Sequence, residues 1–212
     1  MSGSAVHLRR GQYRSMPWRN GGGVTLEIAR EPAAGSDFLW RLSLATVAAS
    51  GPFSNYAGYQ RSVTLIDGAG FRLAIDTRDP VVLDSIGASV LFPGDAATDC
   101  TLLQGPSTDL SLMVRMPGAV RSVRRLQGAA ALSLPLQSDA MAALFCLGGE
   151  ITLSRPGDHH NSSGGGGAQL HFGVHDTVLL GAPIAALSVQ SRSSAAADLL
   201  LLTWTAASAS SS

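Results

Sequence analysis

Three charged residues in the first half of the chain sit where they could read a small acid. In Val24-Thr25-Leu26-Glu27-Ile28 the polar Thr25 and Glu27 alternate with aliphatic residues, and Arg41 and Ser43 form the polar side of the next alternating run, Trp40 to Thr46. Arg61 opens a third run that ends at Ile66. A period of two sends alternate side chains to opposite faces of a strand, so Thr25 and Glu27 share one face. A guanidinium presents a planar fork that fits a carboxylate, and a carboxylate accepts from N–H groups. Glu27 with Arg41 or Arg61 therefore suits a ligand that carries both a carboxylate and an N–H donor. The competing reading is a structural Glu–Arg ion pair, the commoner fate of such pairs, or two solvent-facing residues.

Two neighbouring segments could complete a pocket. Asn20, Gly21 and Gly22, followed by Gly23, allow tight curvature and let backbone N–H groups approach a ligand. The plain alternative is a glycine-rich turn before a strand. Trp18, Trp40, Phe53 and Tyr59 could wall a site, because ligand pockets are largely apolar with a few placed polar groups. Trp40 alternates with Leu42 and Leu44, which assigns it to the core. Phe53, in the loop Gly51-Pro52-Phe53-Ser54, is the rim candidate.

Metal chemistry has little to draw on in this half. From Gln12 to Gly118 there is no His, so a two-His, one-carboxylate site cannot form from these residues alone. The second half holds His159, His160, His171 and His175. On a strand, His171 and His175 would stand about 13 Å apart. His159 and His160 would point to opposite sides, beside the flexible run Asn161–Gly167. Loop histidines are the plainer reading. No metal or other cofactor is expected, and a metal-dependent enzyme built on this His cluster is the rival hypothesis.

The 15 basic residues are all Arg, which excludes a Walker A loop, a kinase phosphate-pairing Lys and a pyridoxal Schiff base. They balance 15 acidic residues, leaving no field for nucleic-acid binding. Arg121, Arg124 and Arg125 read as a solvated face or as a lobe or homodimer contact. Cys100 and Cys146 lie in apolar runs and read as buried free thiols, with a single bridge as the alternative. The first residues have no apolar signal core, and no apolar stretch is long enough for a membrane span. A soluble cytoplasmic protein without membrane or nucleic-acid partners is the expectation.

The elements that must position these residues are short strands. Alternating or apolar runs recur along the chain, separated by Asp67-Gly68, Asp79-Pro80, Pro93-Gly94-Asp95, Gly105-Pro106 and Pro117-Gly118. Asp139–Leu144 is the best helical candidate. About sixteen strands is roughly twice an eight-stranded jelly roll. The strand count therefore predicts an all-β chain of two barrel lobes, residues 1–118 and 119–205, with a Ser/Ala tail at 206–212 expected to be disordered.

Motifs in the first lobe are more specific than this pattern. Met16-Pro17-Trp18-Arg19-Asn20-Gly21-Gly22-Gly23, Phe38 to Ala45, Gly51-Pro52-Phe53-Ser54, Gly58-Tyr59-Gln60-Arg61, Phe92-Pro93-Gly94-Asp95 and Asp109 to Met113 follow in order. At these spacings residues 8–118 closely resemble the HutD/Ves family, and beyond 118 the likeness is one of strand pattern alone. The resemblance implies a bicupin, two jelly-roll β-barrels in one chain. It implies a small-molecule-binding regulator of histidine utilisation, with urocanate, formiminoglutamate or a related carboxylate as ligand class. The chain departs from the family at Ala57, Gln60 and Ser111, where Pro, Asp and Asn are usual.

Overall fold

The computed structural model describes residues 5–18, 23–32, 34–35, 37–128, 131–133, 140–154, 169–181, 187–192 and 196–206. Expectations placed on Asn20, Gly21, Gly22, His159, His160, the run 161–167 and residues 207–212 lie outside them. The described residues form strands with one 3-10 turn, Arg10–Gln12. In chain order the strands are β1 (Ala5–Leu8), β2 (Arg14–Pro17), β3 (Gly23–Glu31), β4 (Trp40–Val47), β5 (Gly51–Pro52), β6 (Tyr59–Asp67), β7 (Phe71–Ile75), β8 (Val81–Leu83), β9 (Ser89–Pro93) and β10 (Thr98–Leu102). They continue as β11 (Ser107–Arg115), β12 (Ala119–Gln127), β13 (Ala131–Ser133), β14 (Met141–Gly148), β15 (Ile151–Ser154), β16 (Leu170–Phe172), β17 (Thr177–Leu180), β18 (Ser188–Ser191) and β19 (Asp198–Thr205). No helix among the described residues is long and apolar enough to cross a membrane.

The chain divides into two compact units. One is Tyr13–Arg121; the other combines Met1–Gln12 with Ser122–Thr205. The second unit thus takes in β1, a segment that the sequence assigned to the first lobe. The reason is pairing: β1 runs antiparallel to β17, Ala5 opposite Leu180 through Leu8 opposite Thr177. His7 Nε2 also lies 2.9 Å from the Asp176 carboxylate.

Each unit contains two antiparallel sheets, and hydrogen bonding leaves them open instead of closing either pair into a barrel. In the first unit a six-stranded sheet has the order β2-β3-β4-β11-β6-β9 and a four-stranded sheet the order β5-β10-β7-β8. Val47, Val63, Leu65 and Phe92 of the larger sheet pack against Phe71, Leu73, Ile75, Leu83 and Cys100 of the smaller. In the second unit the orders are β1-β17-β14-β19-β12 and β13-β18-β15-β16. Ala142, Leu144, Cys146, Leu199 and Leu201 meet Ile151, Leu153, Phe172 and Val189. Both cysteines are free and buried.

The segment expected to be helical is β14. Its centre, Ala142 to Cys146, is buried on both faces, and β17 and β19 flank it within the sheet. A strand covered on both sides is apolar throughout, so it shows no period of two to separate it from a short buried helix.

Chain crossings between the sheets of the first unit depend on glycine. Between β6 and β7 the backbone turns through Gly68 and Gly70, both with positive φ (88° and 95°). Ser107 Oγ accepts from the Gly70 N–H at 2.9 Å and fixes the crossing. A Cβ on Gly70 would run into the Leu83 carbonyl. Gly70→Ala therefore combines a disfavoured backbone region with a collision against a strand. It should destabilise the protein by about 1–3 kcal/mol, read as a lowered midpoint in urea unfolding, whereas Gly11→Ala, with open space around the added carbon, should leave the midpoint nearly unchanged.

Candidate functional site

The pocket follows from strand register. On β4 the odd-numbered Arg41, Ser43, Ala45 and Val47 face one way, and on β11 Asp109, Ser111 and Met113 do the same, with Met113 opposite Arg41 and Ser111 opposite Ser43. β6 joins on the far side of β11, where Met113 also stands opposite Arg61. β3 joins on the far side of β4, with Thr25 opposite Ala45. This face lines a cavity of about 540 Å³. The lining continues through Met16, Pro17 and Trp18 and is completed by Pro52, Phe53, Ser54 and Tyr56. All of these residues belong to the first unit.

Arg61 is the buried centre of the site, 7% exposed. Its guanidinium carbon lies 5.3 Å from the Phe53 ring, 5.4 Å from Tyr56 and 5.3 Å from Phe92. Its Nη1 donates to the Ser54 carbonyl at 3.0 Å. Burial lowers its pKa, against the pull of Asp109. Arg41 lies 4.8 Å from the Phe38 ring and 5.2 Å from Tyr56, and donates to the Tyr56 hydroxyl at 3.2 Å. Tyr56 thus sits between two cations, stacked on both and bonded to one. The Nε atoms of both arginines are buried with no hydrogen-bond partner in the chain.

Asp109 is the acid of the cavity. It is 2% exposed, and its Oδ1 has no partner in the chain; the same holds for Ser111 Oγ beside it. Burial pushes its carboxyl up to about 7, with Arg61 acting in the opposite direction. Four unpartnered polar atoms on adjacent strands therefore line a single cavity. Buried polar atoms are satisfied in most proteins, so four along one cavity are an unusual concentration; Ser62 Oγ and Thr64 Oγ1, outside the lining, also have no partner among the described residues.

The structure brings Thr25, Arg41, Phe53 and Arg61 together in this lining. Thr25 Oγ1 accepts from the Trp18 indole N–H at 2.8 Å. Glu27 is placed differently. It is 8% exposed, absent from the cavity lining, and pairs with Arg30 at 3.9 Å. Glu27 keeps the face of Thr25, opposite Ser43, and a bulge just beyond it shifts the register so that Arg30 stands opposite Arg41 and reaches Glu27. One extra residue resets the alternation and puts positions 27 and 30 on one face, where three residues apart would otherwise oppose. Gly23 is the only described member of the glycine run. An added Cβ there would strike the Thr46 carbonyl and the Trp18 ring, so its smallness serves packing.

Sequence reasoning missed Asp109, Ser111 and Tyr56 as lining residues. An Asp in step with Ser111 and Met113 inside an otherwise apolar run was the available signal. In the second unit the two described ring candidates are engaged elsewhere. His171 bonds Thr152 Oγ1 at 3.0 Å, and His175 lies 2.6 Å from Arg10 and stacks on Phe145. Among the described residues no group of three His, Cys, Asp or Glu is arranged to hold a metal ion.

Comparison with known proteins agrees with this geometry at the level of family. A HutD family profile matches residues 10–197. An uncharacterized 21.2 kDa protein in the hutC 3′ region of Pseudomonas putida is 38% identical over 151 residues, 71% of this chain and 77% of that protein. Protein Ves of Citrobacter koseri is 36% identical over 124 residues, 52% of this chain and 60% of Ves. Among solved structures, the conserved protein of unknown function PA5104 from Pseudomonas aeruginosa PAO1 superposes with a TM-score of 0.81 at 28% identity, covering 96% of this chain and 100% of its own. HutD from Pseudomonas fluorescens SBW25 gives 0.74 at 28% identity with the same coverage. Escherichia coli Ylba, at 10% identity and a TM-score of 0.67 over 99% of this chain and 93% of its own, shares a cupin-like fold and no more. With the profile running through both units, the chain belongs to the HutD family, and the Ves proteins are among its relatives.

Proposed function

We propose that this protein is a bicupin whose first lobe binds a small carboxylate in the cavity beneath Tyr56, and that it regulates histidine utilisation by sensing an intermediate such as urocanate or formiminoglutamate. The observation that carries the reading is the pair of guanidinium groups, Arg61 buried and Arg41 half-buried, each with a buried Nε that has no partner among the described residues, at one cavity. Two cations against one acid, Asp109, leave the site with a positive balance. A guanidinium fork binds a carboxylate in two parallel hydrogen bonds. Aromatic faces around it suit a flat or short-chain organic acid. The histidine context comes from relatives, one named for the hutC 3′ region and one named HutD, the latter solved in a formate condition.

Thermal unfolding of the full chain against formate, glutamate, histidine, urocanate and formiminoglutamate tests the proposal, since a ligand that binds only the folded state raises its stability. A raised midpoint is expected with at least one carboxylate, and none with any of them would overturn the reading. Arg61→Met keeps much of the stem's packing against the three rings while removing the fork. It should weaken binding about ten- to a hundredfold, measured by titration calorimetry.

Asp109 also makes the fold sensitive to pH. The unfolded chain gives up this proton near pH 4, whereas the folded chain holds it to about 7. Between those values the folded state carries the extra proton. The associated stability is therefore complete below about pH 4, falls as pH rises, and is lost above about 7. Asp109→Asn should gain in stability relative to the parent protein as pH goes from about 4.5 to about 8. Urea unfolding at both values measures it, and a constant difference would contradict the assignment.

A further inference from the structure

We infer that Asp109 is the residue by which the cavity chooses among carboxylates: the arginines hold the carboxylate, and Asp109 accepts a hydrogen bond from an N–H elsewhere on the same ligand. The inference rests on the carboxylate binding proposed above and names the ligand class more narrowly. Strand geometry separates the two functions. Met113 stands opposite both Arg41 and Arg61, and Asp109 lies four residues along the same strand on the same face. At the backbone that is about 13 Å; the Arg61 side chain still reaches near enough to act on the Asp109 carboxyl, so cation and acid share one cavity with no ion pair between them among the described residues.

Three features equip Asp109 for this role. Asp109 lines the cavity, and its Oδ1 is buried with no partner among the described residues. Neither arginine forms an ion pair with it among the described residues. Ser111 Oγ, also unpartnered, sits two residues away on the same face. An acceptor in this setting strongly prefers a ligand that brings a donor, because a ligand without one leaves the buried oxygen unpaired. Sequence reasoning gave this task to Glu27, which the bulge pairs with Arg30.

Protonation gives the inference a signature that a shape-filling role for Asp109 would not produce. The groups that bear on its carboxyl are Arg61 from β6, flanked by Tyr56 and Arg41, and Cys100 from β10, whose thiol burial pushes up to about 12. As Asp109 ionises it becomes a pure acceptor; protonated, it also donates.

The test uses a pyrrole acrylate and its furan counterpart, which differ by an N–H against an oxygen and have no titrating ring nitrogen. Calorimetric titration of the full chain at about pH 8 should show the pyrrole compound binding about tenfold tighter. At about pH 5.5 the ratio should shrink toward one, and Asp109→Asn should make it independent of pH. A ratio near one at both pH values, or an unchanged pH profile in Asp109→Asn, overturns the inference. Should the variant fail to fold, the pH profile of the parent protein decides alone. Failure of the underlying reading looks different: neither acrylate binds, nor any carboxylate of the earlier panel.

Discussion

Holding a guanidinium inside a β-sheet unit is the constraint on which the first unit depends. Moving a cation out of water costs several kcal/mol even after relaxation, and Arg61 has only Asp109 as an acidic neighbour to offset it. The compensation comes from ring faces and a carbonyl. Phe53, Tyr56 and Phe92 surround the guanidinium, and the Ser54 carbonyl accepts from it. Each desolvated cation–ring contact contributes about 0.5–2 kcal/mol. Three of these groups lie on one loop, so that loop must close over the sheet. Gly94 makes closure feasible: Tyr56 N–H donates to its carbonyl at 2.7 Å, its own N–H donates to Tyr59 at 2.7 Å, and a side chain there would collide with the Tyr56 carbonyl.

The two units solve the same packing problem with opposite chemistry. In the second, the inward residues of β14, β17 and β19 are Ala142, Leu144, Cys146, Val178, Leu180, Leu199 and Leu201, and the core they form is apolar throughout. Its charged contacts, His7 with Asp176 and Arg125 with Asp198, are at least partly exposed. In the first, the corresponding large sheet presents Thr25, Arg41, Ser43, Arg61, Asp109 and Ser111 to the interior. Among the described residues, then, the polar cavity lies in the first unit and the second unit's core is apolar.

Much of this was legible in the sequence, for reasons that differ by residue. The alternation in β4 and the ends of β7, β8 and β17 follow from side-chain pattern and turn residues alone. That Arg41, Arg61 and Thr25 face one cavity was readable because polar side chains in step with neighbouring strands share a face, and Phe53 joins them from the adjoining loop. Glu27 shares the face of Thr25, as the alternation implies, but its pairing with Arg30 is hidden in sequence because the bulge that follows has no compositional mark in Leu26-Glu27-Ile28-Ala29 and shows only in the register against β4. β10 carries little pattern, since Thr98-Asp99-Cys100-Thr101 is polar on its outer face and short. Asp109 was passed over because its importance is three-dimensional: β11 lies between β4 and β6, and only that order sets it beside two arginines from different strands.

Four buried polar atoms without partners, on Arg41, Arg61, Asp109 and Ser111, weigh against the stability of the fold. Each such atom costs about 1–3 kcal/mol relative to a satisfied one, and the total is comparable to the net stability of a small domain. A fold can carry that load only if the rest of the unit over-determines it. The six-stranded sheet does so through the fully buried Leu42, Leu65, Leu110 and Leu112 on its central strands. The same atoms become the source of affinity when a ligand supplies their missing partners, because the desolvation has already been met in folding. On the proposed reading stability and recognition are opposed at this cavity: replacing its polar lining with aliphatic residues would give a firmer core and remove the groups on which that reading has a small acid recognised.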